Sequence, residues 1–227
     1  MDTTLTPAER AERLARYYDL DTLDVSYDAE LYQQLAHEAG GDVLELGIGS
    51  GRVAIPLALA GHRVVGVDDD PAMLDRGRQR WQDVRGEAEP DRLEFHQGDF
   101  ETFRTGGRFG LALIAVNTFL LAEDDDARLR ILTTMREHLR PGGAAVIEVS
   151  TPSDDELTGY DGRLQHEWLR TDPVTGEQVS KHISARHEPE DRTVSLTQIY
   201  EWTPPHGGSL SRVAKVDVLH LVAAGHL

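Results

Sequence analysis

Val43-Leu44-Glu45-Leu46-Gly47-Ile48-Gly49-Ser50-Gly51 is the stretch that decides the fold. An apolar run ends in glycines at alternate positions, and a helix-like segment, Arg52 to Ala60, follows. That order reads as a strand, a tight turn and a helix start. Glycine lets the backbone turn sharply and lets a ligand approach without meeting a Cβ. The helix start presents unpaired N–H groups and a positive dipole end to an anionic group. A second apolar run, Arg63-Val64-Val65-Gly66-Val67, closes on Asp68. An acid at the end of the second strand of a βαβ unit suits a ribose diol, because it accepts two hydroxyl hydrogen bonds. Residues 42–70 therefore read as a nucleotide-type binding half.

Spacing separates the nucleotides. The dinucleotide fingerprint is G-x-G-x-x-G, its third glycine letting helix pack on strand. Here the pattern is G-x-G-x-G, and Arg52 stands where that third glycine would fall. The stretch Glu45 to Gly51 resembles motif I of the class I S-adenosylmethionine-dependent methyltransferases. Gly66-Val67-Asp68, then Pro71 and Met73, is similar to that family's second-strand motif. Gly98-Asp99-Phe100 resembles its adenine-binding corner. The resemblance spans residues 15–150.

It implies S-adenosylmethionine as cofactor and a set of contacts, carried over position by position. Glu45 and Gly47 would border the methionine moiety, with Gly49 and Gly51 permitting the turn. Asp68 would accept from the ribose hydroxyls, flanked by Asp69, and Met73 belongs to the same motif. Asp99 would accept from the adenine amino group, with Phe100 packing at the ring. Asn117 would end the fourth strand beside the methyl, or simply form a turn. Arg52 would take the carboxylate tail or remain a solvated helix residue. The N-terminal segment, with Tyr18, would lie over the cofactor; for Tyr17, Tyr18 and Tyr32 the other reading is packing of amphipathic helices.

Composition narrows the partners. The chain has 227 residues, 23 basic against 40 acidic, for a net charge of −17. Such a surface argues against nucleic acid and anionic membranes. Cysteine is absent, so neither a disulfide framework nor a cysteine metal site is in question. No apolar run approaches the ~20 residues of a membrane span. Met1-Asp2-Thr3-Thr4 lacks the layout of a signal peptide. A cytoplasmic protein with a small-molecule substrate is expected.

Along the chain, residues 6–18 read as a helix opened by the capping box Thr6-Pro7-Ala8-Glu9. A second helix runs from Ala29 to Glu38, with Asp28 as cap, Gly40 as stop, and Leu31, Leu35 and Tyr32 as apolar marks. Pro56 falls near a first turn, where proline is tolerated. A helix opens at Asp70-Pro71, and a third strand is Leu93 to Gln97. The fourth, Leu111 to Val116, is almost wholly apolar, as in strands buried on both faces. Acids at Glu123 to Asp126 suit a helix N-terminus better than a metal site. That helix carries the stripe Leu129, Leu132, Met135 and Leu139. Pro141-Gly142-Gly143 reads as stop and turn, and Ala144 to Val149 as the fifth strand. This alternation predicts an α/β fold: a doubly wound, mostly parallel, Rossmann-like sheet.

Residues 150–221 alternate instead, giving antiparallel strands near 163–170, 178–187, 192–202 and 211–221. Tyr200 and Trp202 share a face, as an acceptor wall or as filling of a seam. Three regions result: 1–40, a helical segment; 41–150, the cofactor-binding core; and 151–227, an antiparallel insert or lid. The chain stops at Ala223-Ala224-Gly225-His226-Leu227, before the last helix and hairpin usual in the family. The fifth strand is then a sheet edge that invites a homodimer or a longer native protein.

The reading is methyl transfer to a small amine or hydroxyl compound by in-line displacement, a reaction served mainly by positioning. No catalytic residue is assigned: His166, His182, His187 and His206 lie in the insert, where a neutral histidine could take a proton from an incoming amine or hydroxyl, but exposed strand histidines are commoner than catalytic ones. A non-catalytic S-adenosylmethionine-binding or scaffolding domain is the alternative. An NAD-dependent oxidoreductase is a further one, and it lacks the required glycine register.

Overall fold

The structure is a computed structural model that describes residues 5–24 and 28–222; the residues read above for a signal peptide (1–4) and for the chain end (223–227) lie outside them. The helices are α1 (Pro7–Asp21), α2 (Ala29–Ala39), α3 (Ala54–Leu59), α4 (Pro71–Val84), α5 (Asp125–His138) and α6 (Asp154–Gly159). The strands are β1 (Val43–Leu46), β2 (Val64–Asp68), β3 (Leu93–Gln97), β4 (Phe109–Ile114), β5 (Leu139–Ile147), β6 (Gln165–Thr171), β7 (Gln178–Glu188), β8 (Thr193–Thr203) and β9 (Ser211–His220). They fall into two compact units, Asp21–Val149 and a second made of residues up to Leu20 with those from Ser150 onward. The helical segment read as 1–40 is thus divided, α1 going to the second unit and α2 to the first.

In the first unit five parallel strands take the order β3-β2-β1-β4-β5. The strands next to the centre are buried along their length, which is why they read as apolar runs. The order reverses between β1 and β4, so ligands are expected beyond the C-terminal ends of these strands. Tyr32 and Ala36 of α2, Leu57 of α3, and Leu74 and Trp81 of α4 join Val43, Leu111 and Leu113 in one core. Pro56 is the third residue of α3, where its missing N–H leaves no helix bond unmade.

Three expectations change. β5 starts at Leu139, because Pro141-Gly142-Gly143 forms a bulge within it rather than a turn before it. The register jumps from Phe109↔Leu139 to Leu111↔Ala144, with Gly142 at φ 79°. The buried stripe of α5 is Ala127, Ile131, Thr134, Met135 and His138, while Leu129 is 62% exposed. Asp28 does not cap α2; its carboxylate turns to Arg52, and Tyr32 rather than Leu31 is the buried mark. Asp124 does cap α5, accepting from the Ala127 N–H at 2.7 Å.

The second unit is an antiparallel sheet in the order β6-β7-β8-β9, close to the predicted strands. α1 covers one face. Tyr17 is wholly buried, its ring 5.4 Å from Tyr200 and 5.7 Å from Trp202. Leu20, Val179 and Val213 complete this core, so both aromatics fill the seam with α1. Ion pairs frame the seam. Arg13 reaches Glu177 at 2.6 Å, and the Arg16 guanidinium grips both oxygens of Asp172. The Thr6–Glu9 capping box forms as read. A second one, Ser153 with Glu156, opens α6, which the sequence reading missed.

Candidate functional site

The glycine loop is pinned from two directions. The N–H groups of Gly47 and Ile48 both donate to the Val67 carbonyl, at 2.8 and 3.0 Å. Asp68, at the end of β2, accepts from the Gly49 N–H on Oδ2 at 2.8 Å and from the Asp70 N–H on Oδ1 at 3.0 Å. Burial raises its carboxyl above the ordinary value, and these N–H groups oppose the rise. Gly47, Gly49 and Gly51 have φ of 79°, 54° and 79°, a region that side chains resist. A Cβ on Gly47 would come within 2.5 Å of Thr118, and one on Gly49 within 3.1 Å of the Met73 methyl. Ile48 lies against Gly66, where a Cβ would stand 2.1 Å from its Cδ1. Arg80 of α4 donates to the Ser50 carbonyl and hydroxyl at 3.1 and 3.0 Å.

Glu45 is 2% exposed. Burial pushes its carboxyl up to about 8, with Arg52 opposing and Asp68 adding to the rise. The Ala54 N–H bonds to it, while Oε2 has no hydrogen-bond partner among the described residues. Arg52 is buried with Asp28, its Nη1 at 2.9 and 2.8 Å from the two carboxylate oxygens. The solvated reading of Arg52 is therefore corrected: the guanidinium is committed to an ion pair beneath the loop.

Beyond β4 the chain turns through Val116 and Asn117, at φ 51° and 61°. A β-branched residue there is strained. Asn117 is the turn former, starting a short 3-10 segment at Thr118–Leu121. Glu148, just past β5, holds the turn: Oε2 accepts from the Val116 N–H at 3.1 Å, and its carbonyl from the Asn117 N–H at 3.2 Å. The Tyr32 hydroxyl donates to the same Oε2 at 2.6 Å. Burial first, and Glu148 next, raise the Tyr32 pKa, so this hydroxyl keeps its proton.

The loop glycines, Glu45, Arg52, Asp68, Met73 and Asn117 are thus gathered around the C-terminal ends of β1, β2 and β4. Asp69 is exposed beside Asp68. Asp99 is exposed too, accepting from the Glu101 N–H at 2.7 Å, with Phe100 half-buried next to it. Tyr18 is half-buried on α1, in the other unit. Asp28 and Glu148 were not read as site residues, and Tyr32 only as part of a segment over the cofactor or of a packed helix. A signal existed for one of them, since Glu148 is an acid within the otherwise apolar run from Ala144 to Val149.

Residues 43–143 match the protein family described as "Methyltransferase domain". The cypemycin N-terminal methyltransferase of a Streptomyces species is 31% identical over 160 residues, covering 69% of this chain and 62% of that protein. The chain therefore matches less than two thirds of that relative's length. Among solved structures, the CcbJ methyltransferase from Streptomyces caelestis is similar at TM-score 0.69 and 24% identity, over 88% of this chain and 79% of that one. The sugar N-methyltransferase KedS8 from Streptoalloteichus sp. ATCC 53650 is similar at TM-score 0.72 and 20% identity, over 91% and 77%. At those identities the two structures speak for the fold.

Proposed function

We propose, from the match of residues 43–143 to the methyltransferase-domain family, that this chain is a class I S-adenosylmethionine-dependent methyltransferase that acts on the nitrogen of a small-molecule or peptide amine. The observation that carries the reading is the glycine loop fastened through Gly49 to Asp68, next to a buried Glu45 with an open oxygen. These residues fit the cofactor. Three glycines leave a cradle that Cβ atoms would fill, and Asp68 retains lone pairs for a diol beyond the two N–H groups it accepts. Oε2 of Glu45, without a hydrogen-bond partner among the described residues, would gain one from an ammonium tail, whose charge would also draw off the proton that burial holds there.

The bound cofactor supplies a methyl group activated on a sulfonium. The chain's part is to hold the two reactants in line and exclude water, which accounts for the scarcity of reactive side chains. Nitrogen is preferred over oxygen because the cypemycin enzyme is named for methylating an N-terminus, which carries an amino group. The acidic charge of −17 favours such a substrate over nucleic acid. Among the described residues no helix is long and apolar enough to cross a membrane.

Calorimetric titration with S-adenosylmethionine and, separately, with NAD tests the cofactor assignment; only the first should bind. Release of S-adenosylhomocysteine with a panel of amines and matched alcohols tests the reaction. Binding without release from any amine would leave a cofactor-binding domain and remove the enzyme.

A further inference from the structure

Glu148 does more than hold a turn. A carboxylate offers about four lone-pair directions. The Tyr32 hydroxyl and the Val116 N–H take up one oxygen. Among the described residues no donor reaches the other, Oε1, and the residue is half-buried rather than sunk in the core. It stands just past β5, against the exit of β4, at the sheet edge where ligands of open α/β folds bind.

The surroundings are anionic. The charges acting on Tyr32 are Glu148, Asp28 and Arg52, two acids against one guanidinium. Glu45 lies near the same guanidinium. An incoming group at this point gains from carrying N–H donors or positive charge. Next to the carboxylate the strained turn holds Val116 44% exposed, an apolar side chain directed outward at a site that could have carried a polar one. Strain of this kind persists where the surrounding structure enforces it, and here Glu148 does so with both its backbone and its side chain.

We propose that Oε1 of Glu148 receives the amino group of the methyl acceptor, with Tyr32 and the Val116 N–H fixing the carboxylate and Val116 bearing on the acceptor's apolar body. The proposal rests on the methyltransferase reading and names the chemical class of its second substrate: a primary or secondary amine on a partly apolar frame. Tyr32 is a positioning residue, acting only through Glu148.

The test uses the whole chain saturated with S-adenosylhomocysteine and two amine probes, an alanine-headed tripeptide and glucosamine, each paired with its N-acetyl form. Binding is read by calorimetry. At least one free amine should bind at least about tenfold tighter than its acetylated form. Glu148→Gln keeps an oxygen for Tyr32 and Val116 but removes the charge. It should weaken amine binding at least about tenfold, leaving S-adenosylhomocysteine affinity within about threefold. Tyr32→Phe should weaken amine binding by a smaller factor with the same cofactor affinity, and circular dichroism checks that both variants are folded. Indifference to acetylation in both pairs, or unchanged amine binding in Glu148→Gln, overturns the proposal. So does a loss of cofactor affinity that parallels the loss of amine binding. A wild-type chain that does not bind S-adenosylhomocysteine overturns the methyltransferase reading itself, a result distinct from all of these.

Discussion

Asp172 and Glu45 are both shut off from solvent, 3% and 2% exposed, with Glu45 the more deeply surrounded, and their proton affinities move in opposite directions. Burial by itself would raise both. At Asp172, in the antiparallel unit, Arg16 and the N–H groups of Val174 and Thr175 overcome burial and hold the carboxyl at about 2. At Glu45, in the parallel unit, burial wins and the carboxyl rises to about 8. The nearest cation, Arg52, is bonded to Asp28 instead. Depth sets the cost of a charge, and the number of well-placed donors decides whether that cost is met. Among the described residues the second unit leaves no buried side-chain polar atom without a hydrogen-bond partner, whereas the first leaves Oε2 of Glu45 so.

The contrast fails most visibly if the units are not separately sensitive to packing. Gly110 lies under the end of α2, where a Cβ would fall 1.4 Å from the Gly40 carbonyl oxygen. Gly110→Ala should cost more than about 4 kcal/mol and prevent the parallel sheet from forming. Far-ultraviolet circular dichroism and proteolysis would show it; a native thermal profile would refute the packing described here.

Tyr17→Ala should remove about 3–5 kcal/mol from the antiparallel unit by opening a cavity against Tyr200 and Trp202. The intrinsic reporters already divide between the units, Trp81 in one and Trp168 and Trp202 in the other. In a Trp81→Phe background, fluorescence during urea unfolding follows the second unit alone. An unmoved midpoint would mean that the seam contributes little.

Asp68→Ala leaves the Gly49 and Asp70 N–H groups without their acceptor. Affinity for S-adenosylmethionine should drop at least about tenfold, a loss of about 1.5–3 kcal/mol, in a folded protein. Full affinity in that variant would break the assignment of the loop as the cofactor site.

A further effect is one of pH, and the two units should show opposite slopes. Glu45 has a folded value of about 8 against an ordinary 4.5, so the folded state holds a proton that the unfolded chain has released. Its contribution is complete below about pH 4.5 and fades as pH rises through about 8. Asp172, lowered from 3.8 to about 2, contributes above about pH 4 and loses that contribution as pH falls through about 2. Urea midpoints of the first unit should therefore decline between pH 5 and 8, and Glu45→Gln should flatten the decline. An unchanged slope in Glu45→Gln would assign the pH dependence elsewhere.

What could be read in advance depended on range along the chain. The glycine loop, Asp68 and the parallel strands were legible because each is a local pattern: a run, a spacing, a terminal acid. The four antiparallel strands were legible by alternation. The Tyr17 seam was not, since Tyr17 and Tyr200 lie far apart in sequence and nothing local marks either as a partner. Arg52 and Asp28 hid for the same reason, and Asp28 additionally looked like a cap. At β5, Pro141-Gly142-Gly143 carried a true turn signal, but pairing with β4 overrode it and turned the glycines into a bulge.

Ile48 seated on Gly66 has a consequence for rates. A loop of three glycines would ordinarily sample many shapes, and a ligand would lose affinity in freezing one of them. Here an isoleucine only 3% exposed acts as a hook, keeping the glycine backbone in one shape. Association at this loop should therefore follow a single exponential whose rate climbs linearly with ligand concentration, without the plateau that a slow ordering step would impose. Ile48→Ala should release the hook and bring that plateau into view.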